Sequence, residues 1–249
     1  MAEQLFRPTP RPRNILLALA FCASYSFFPL LANDTPPDES RIKEAVIVSA
    51  ENPALAIRMA DDAMRTIGRH AITIGDRASG ERFIFGETDG AEVKRLFIAQ
   101  FEAFHADNDG TYNYDLSKSP EVAGYRWRSN AYAFDMTASR RDNPAGEAAG
   151  TAALLEKFEL NVPENWLMWR SLTVTDENRK GELILFYVEF GKDHNMTLAD
   201  IYVGDDETPE WISFQKDLER RANAVFELAP VVDGIPLGES WVHIPVGGE

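Results

Sequence analysis

The sequence predicts an α+β fold: a mainly antiparallel, twisted sheet with N-terminal helices, one inserted helix and a C-terminal helix packed on it. Three observations support this fold class. Asp89-Gly90 lies between two apolar runs, a pattern typical of a β-hairpin. The run from Leu183 to Val188 is apolar at every position, as expected for a central strand covered on both faces. Residues 209–228 place their apolar side chains on one helical face, which predicts an amphipathic C-terminal helix.

The N-terminal helices are predicted from apolar spacing. A first helical stripe consists of Ile42, Ala45, Val46 and Ser49. Asn52-Pro53 interrupts it, and proline suits the first position of a second helix. That second helix has a stripe of Ile57, Ala60, Met64 and Ile67. Gly68 is a suitable stop, so two consecutive helices are expected before the first strand.

The segment 93–104 is open to two interpretations. As the second arm of the Asp89-Gly90 hairpin it is a strand. The same segment has a helical stripe, and Asp89 with Glu92 is compatible with a capping box. The strand is the favoured interpretation. A turn at 107–110 then leads into a predicted strand at 122–136.

The second half of the chain alternates a helix, two strands and a helix. Asn143-Pro144 is a typical helix start, and that inserted helix is expected to end near Leu160. Strands are predicted at 167–175 and 183–190, joined by a polar loop that ends in Gly181. The segment from Pro230 onward is rich in proline and glycine, which predicts an extended tail.

The N-terminus has the order of a secretory signal. Arg7, Arg11 and Arg13 precede an apolar run from Ile15 to Ala32, and a polar, proline-rich stretch follows. We expect residues 1–32 to be a signal peptide, 33–40 a linker and 41–249 a single α+β domain. The run is also long enough to remain as an uncleaved membrane anchor. The predicted location is therefore periplasmic or secreted, with membrane contact only through that segment.

Composition narrows the function classes. The net charge of −15 repels nucleic acid, and no concentrated basic run offsets it. Cys22, the only cysteine, lies inside the predicted signal, so a mature chain has no thiolate nucleophile and no cysteine zinc site. A content of 45% hydrophobic residues indicates a packed domain rather than disorder. No cofactor motif is present, and no cofactor is predicted.

Histidines are the first candidates for catalysis near neutral pH. The chain has four, and none has a metal-ligand spacing to another, so no metal site is predicted. His105 lies close to Asp107 and Asp109, and His194 directly follows Asp193. These two are the candidate catalytic histidines, although surface or turn positions explain all four more simply.

A cationic strand segment is the candidate ligand site. Arg126 and Arg128 alternate with Trp127, which places both guanidinium groups on one face of a regular strand, and Arg140 follows beyond the strand. Such a pair could bind a carboxylate or phosphate through two hydrogen bonds. Ion pairs with nearby acids are the alternative. Those acids are Glu121, Asp135 and Asp142.

Three functions are compatible with these features. The favoured hypothesis is an exported, non-catalytic protein that binds a partner protein or an envelope component, because no catalytic motif is recognisable and the acidity suits a basic partner. The second is a carrier of a small amphipathic or anionic ligand. The third is a secreted hydrolase that uses carboxylates or histidine. The carboxylates of such an enzyme cannot be selected from the sequence, because their spatial separation defines them.

Overall fold

A computed structural model describes residues 42–43, 45–203 and 206–246. The predicted signal at 1–32 and linker at 33–40 lie outside these residues. The elements, in chain order, are β1 (Ile42–Lys43), β2 (Val46–Ser49), β3 (Leu55–Met59), β4 (Arg65–Ile74), β5 (Ala78–Asp89), β6 (Glu92–Phe104), β7 (Glu121–Val122), β8 (Tyr125–Arg126), β9 (Arg128–Asp135), α1 (Met136–Asp142), α2 (Glu147–Lys157), β10 (Asn165–Val174), β11 (Gly181–Phe190), β12 (Tyr202–Val203), β13 (Asp206–Glu207), α3 (Pro209–Val225), β14 (Phe226–Val232) and β15 (Ile235–Pro236), with short 3₁₀ helices at Gly191–His194 and Leu198–Asp200.

The described strands form two main sheets, both antiparallel. The larger has six strands in the order β4-β5-β6-β11-β10-β9, and the smaller has five in the order β1-β2-β3-β14-β15. Two-stranded ribbons are formed by β7 with β8 and by β12 with β13. This mixture of antiparallel sheet and three α-helices confirms the α+β class.

The large sheet is covered on both faces. On one side, here called the α3 face, Phe83, Phe97 and Leu185 pack with residues of the smaller sheet and of α3. On the other side, here called the α2 face, Ile98 and Phe186 pack with α2. Strand β11 is buried at every position, which confirms the prediction of a central strand covered on both faces.

The predicted N-terminal helices are wrong for the described residues. Their positions form β2, β3 and β4 instead. The run Val46-Ile47-Val48 is β-branched, and such side chains favour a pleated strand over a helix. β3 pairs with β14, about 170 residues further along the chain, and this long-range pairing overrides the local helical spacing.

Several other predictions are confirmed in their essentials. The Asp89-Gly90 hairpin is present, with Gly90 at φ +60°, and 93–104 belongs to β6. Strands β10 and β11 pair as expected, and α3 buries Trp211, Leu218 and Val225.

The inserted helix differs from its prediction. It is divided into α1 and α2, because Asp135 caps α1 about two turns upstream of the expected start. Asn143, the predicted N-cap, is the residue at which α1 ends.

Candidate functional site

Two glutamates lie side by side in the interior of the α2 face. Glu102 of β6 and Glu182 of β11 are direct partners in the strand register, and their side chains are 8% and 2% exposed. Glu182 alternates along β11 with Ile184 and Phe186, both of which belong to the apolar cluster under α2. A pair of ionised carboxylates in this environment would be strongly disfavoured, because burial and like charge both oppose ionisation.

Two tyrosines cover the carboxylate pair. The Tyr112 hydroxyl donates a hydrogen bond of 2.7 Å to Glu102 Oε1, and Tyr114 lies close enough to Glu182 to oppose the rise in the pKa of that carboxyl group. Both tyrosines belong to the segment 105–120, here called the tyrosine loop. Arg179 holds this loop through its guanidinium, with Nε 2.7 Å from the Tyr112 carbonyl and Nη2 3.0 Å from the Tyr114 carbonyl. The loop therefore seals the pair from one side.

The pair holds its protons unusually tightly. Burial, reinforced by the charge of Glu102, raises the pKa of Glu182 to about 8. Burial also raises the pKa of Glu102, although hydrogen bonds from Tyr112 and Gln100 oppose that change. The two carboxyl groups are close enough for the protonation of one to change the pKa of the other. Near neutral pH the pair therefore shares one proton and titrates as a unit.

A polar network continues from the carboxylates to α2. Gln100 donates to Glu102 and, at 3.1 Å, to Glu147 Oε1 on the first turn of α2. Arg82 donates to Gln100, to Thr151 and to Glu147 over 2.5, 2.9 and 3.0 Å. All three of these Arg82 hydrogen bonds end on another element, and two of them end on α2. The network therefore holds α2 on the sheet.

The network also includes His70, which was not selected as a candidate from the sequence. His70 Nε2 lies 3.2 Å from Thr151 Oγ1. Burial lowers the pKa of His70 to about 4, so the ring is neutral across the physiological range. A neutral ring adds no charge to the interior near Arg82. The role of His70 in this network is therefore structural.

A second buried polar cluster lies on the α3 face, near the opposite end of β11. Glu189 accepts a 2.7 Å hydrogen bond from the Tyr187 hydroxyl and lies 2.7 Å from His194 Nε2. Arg221 of α3 binds the same carboxylate. Burial alone would raise the pKa of Glu189, but the hydrogen bonds and charge of Arg221 outweigh it and the pKa is lowered. This glutamate is therefore ionised at neutral pH.

The two candidate histidines are far apart in the fold. His194 pairs with Glu189, not with its neighbour Asp193, and its ring meets Phe214 edge-on at 4.9 Å. His105 lies beyond the other end of the large sheet, where its Nδ1 is 3.1 Å from the Asp76 carbonyl oxygen. They do not form one site. Within 42–43, 45–203 and 206–246, no group of three or more His, Cys, Asp or Glu side chains is arranged to hold a metal ion.

The candidate ligand residues are distributed over two places. Arg126 and Arg128 are exposed, whereas Trp127 between them is 1% exposed and donates its indole N–H to the Val122 carbonyl. Arg126 pairs with Glu121 at 3.3 Å. Arg140 lies on α1 and pairs with Glu156 of α2 at 2.8 Å. An anion clamp at Arg126 and Arg128 remains a prediction.

Exposed large apolar side chains concentrate near the C-terminus. Among the described residues, most of the large apolar side chains that are exposed belong to Val232, Ile235, Leu237, Val242 and Val246, here called the C-terminal patch. The segment that carries it runs back along β14 as its outer neighbour. Leu228 and Val242 exchange two backbone hydrogen bonds of 2.8 and 2.9 Å, and the Leu237 N–H donates to the Pro230 carbonyl.

A groove opens at the end of the large sheet near Gly181. Its volume is about 480 Å³, and its lining includes Asn52, Ser79, Asp176, Asn178 and Lys180. Asp176 accepts hydrogen bonds from the Lys180 and Gly181 N–H groups, and Lys180 donates to the Asn108 carbonyl. Asp176 thus holds the β10–β11 turn, and Lys180 joins that turn to the tyrosine loop.

In the part of the chain that the structure describes, no helix is long and apolar enough to cross a membrane. Comparisons with protein-family models, with curated proteins and with solved structures gave no match.

Proposed function

We propose that this chain is an exported, non-catalytic binding protein that engages a partner protein through the C-terminal patch. The observation that carries the proposal is the concentration of exposed apolar side chains at residues 232–246, on the outer edge of the smaller sheet. Val232 and Ile235 face each other across the β14–β15 pair and are 53% and 68% exposed. Clustered apolar side chains of this kind are typical of protein-interaction sites.

Charge defines the kind of partner. Asp233 and Glu239 are exposed within the same segment, and the chain as a whole has a net charge of −15. A complementary surface has an apolar centre surrounded by lysine or arginine, because opposite charges at the rim steer association and exclude other partners. The partner is thus a basic protein surface.

The N-terminus supports export to the periplasm or the medium, because arginines there are followed by a long apolar run.

The test compares two variants that each remove one exposed isoleucine. Ile235→Ser alters the C-terminal patch, and Ile212→Ser is the matched control on α3, where Ile212 is 44% exposed. Full-length chain, wild type or variant, is immobilised and exposed to the exported fraction of the source cells. We expect at least one basic protein that wild type and Ile212→Ser retain equally, that Ile235→Ser loses, and that 0.5 M salt releases.

The proposal fails if no protein distinguishes Ile235→Ser from Ile212→Ser. It also fails if native mass spectrometry detects a second copy of this chain on the C-terminal patch, because the occupant would then be the protein itself. Retention that is insensitive to salt would contradict the basic rim of the partner.

A carboxylate-dependent hydrolase is the second candidate, and the Glu102–Glu182 pair favours it. Two carboxyl groups that share a proton are a recurrent arrangement of general acid and base. Tyr112 and Tyr114 cover both groups, so a substrate would reach them only after the tyrosine loop moves. Hydrolysis of a model substrate that Glu182→Gln abolishes would favour this candidate over the first.

A further inference from the structure

The tyrosine loop rests on the sheet through contacts of two kinds. One kind involves cationic side chains: Arg179 binds two loop carbonyls, and Lys180 binds the Asn108 carbonyl. The other kind involves Tyr112, whose hydroxyl donates to Glu102, and Tyr114, which lies close to Glu182. Only the second kind depends on whether the carboxylate pair holds a proton.

Loss of that proton disfavours the closed arrangement. Glu102 and Glu182 face each other on neighbouring strands, and in the described structure Glu182 Oε1 has no hydrogen-bond partner. Two adjacent negative charges here would have neither water nor enough donors around them. Movement of the tyrosine loop would bring water to them from the side that Tyr112 and Tyr114 cover.

We infer that Glu102 and Glu182 form a proton-dependent clasp, which holds the tyrosine loop closed on the α2 face and releases it when the pair loses its shared proton. The remaining charged or titratable groups near the pair come from five elements. They are His70 on β4, Arg82 on β5, Tyr132 on β9, Glu147 on α2 and Arg170 on β10.

Most of these neighbours keep their charge state in the range in which the clasp acts. Burial lowers the pKa of His70 to about 4, so it is neutral above pH 5. Burial raises the pKa of Tyr132, which keeps its hydroxyl protonated. Arginine stays charged throughout. The Glu182→Gln variant separates the pH dependence of the pair from any contribution of Glu147.

The direction of the effect follows from linkage. In the closed state the pKa of Glu182 is about 8, and in an open, hydrated state it returns toward the ordinary value of about 4.3. Protonation therefore stabilises the closed state fully when the pH is below the open-state pKa. This stabilisation is lost as the pH rises toward the closed-state pKa. Because opening releases one proton, the equilibrium constant for opening of the loop rises by at most about tenfold per pH unit. It reaches a plateau above pH 8.

Amide hydrogen exchange measures this opening directly. The Tyr112 N–H donates 2.9 Å to the Arg179 carbonyl in the closed loop, and the Thr175 N–H, bonded to Gly181, serves as a reference at the β10–β11 turn. Exchange is followed by NMR on the full chain, and each rate is divided by its intrinsic value at that pH. We expect the protection factor of Tyr112 to fall by about tenfold per unit from pH 5 to 8 while that of Thr175 changes little.

Two variants separate the clasp from general effects. Glu182→Gln keeps a side chain that can donate to Glu102 but cannot lose a proton, so the protection of Tyr112 becomes independent of pH. Glu177→Gln, at an exposed carboxylate of the same β10–β11 turn, retains the wild-type slope. A Tyr112 protection factor that does not change with pH in the wild type overturns the proposal. The proposal is also overturned if the Tyr112 protection factor falls equally in Glu182→Gln, or if the protection factor of Thr175 falls in parallel with that of Tyr112. If Glu182→Gln does not fold, the wild-type comparison of Tyr112 with Thr175 still decides.

Discussion

Glu189 and Arg221 form a two-point ion pair that joins the central strand to the C-terminal helix. Arg221 Nε lies 2.6 Å from Glu189 Oε1, and Nη2 lies 2.8 Å from Oε2. The carboxylate side chain is 7% exposed, and the guanidinium also lies over the Phe214 ring, 5.2 Å from its centroid. This pair thus joins α3 to β11 in addition to the apolar contacts that Leu218 and Ala222 make in the core.

Removal of Arg221 should therefore destabilise the fold. Arg221→Ala leaves Glu189 buried with only Tyr187 and His194 as partners, and we expect a loss of about 2–3 kcal/mol in the free energy of unfolding. Urea denaturation followed by tryptophan fluorescence measures it. The control is Arg220→Ala, since Arg220 is exposed and pairs only with Asp217, and its loss should stay below about 0.5 kcal/mol. Equal losses in the two variants would mean that the pair does not fix α3.

The contribution of this pair should also vanish in acid. The pKa of Glu189 is lowered in the folded protein, so its stabilisation is complete above the ordinary glutamate value of about 4.3 and is lost as the pH falls below it. The difference in unfolding free energy between wild type and Arg221→Ala should accordingly shrink as the pH falls from 5 to 3. Urea midpoints at pH 5, 4 and 3 test this. A difference that stays constant would show that Arg221 acts through packing on Phe214 rather than through the charge of Glu189.

The elements that the sequence predicted well are those whose signals are local. The Asp89-Gly90 turn and the apolar face of α3 each depend on a few neighbouring residues, and both are present. The N-terminal strands were missed because the partner of β3 is β14, at the other end of the chain. Helical spacing over a few residues carries no information about such a partner.

The carboxylate pair illustrates the same limit at the level of the site. Glu102 and Glu182 are visible in the sequence as single charges in or beside apolar runs, and that pattern could have marked each as an unusual interior acid. Their pairing depends on the register between β6 and β11, whose partners are 80 residues apart at this point. His194 shows the same limit, because its partner in the fold is Glu189 and not Asp193, its neighbour in the sequence.

A glycine beside the carboxylate pair should be irreplaceable. Gly80 of β5 is the register partner of Glu102, and a Cβ at this position would lie 2.0 Å from the Phe101 carbonyl oxygen and 2.7 Å from Glu102 Cα. Both are backbone atoms and cannot rotate away, so Gly80→Ala must push β5 from β6. We expect a loss of about 3 kcal/mol or more in the free energy of unfolding, at the upper end of overpacking effects.

Gly238→Ala is the matched control for that substitution. A Cβ at Gly238 would meet no atom within 4 Å, so we expect a change within about 0.5 kcal/mol of wild type. Thermal unfolding by circular dichroism compares the two variants under identical conditions. If Gly80→Ala melted at the same temperature as Gly238→Ala, β5 and β6 would not approach as closely at this point as the geometry requires. The close approach matters for the site, because it sets the backbone position from which Glu102 reaches Tyr112 and Glu182.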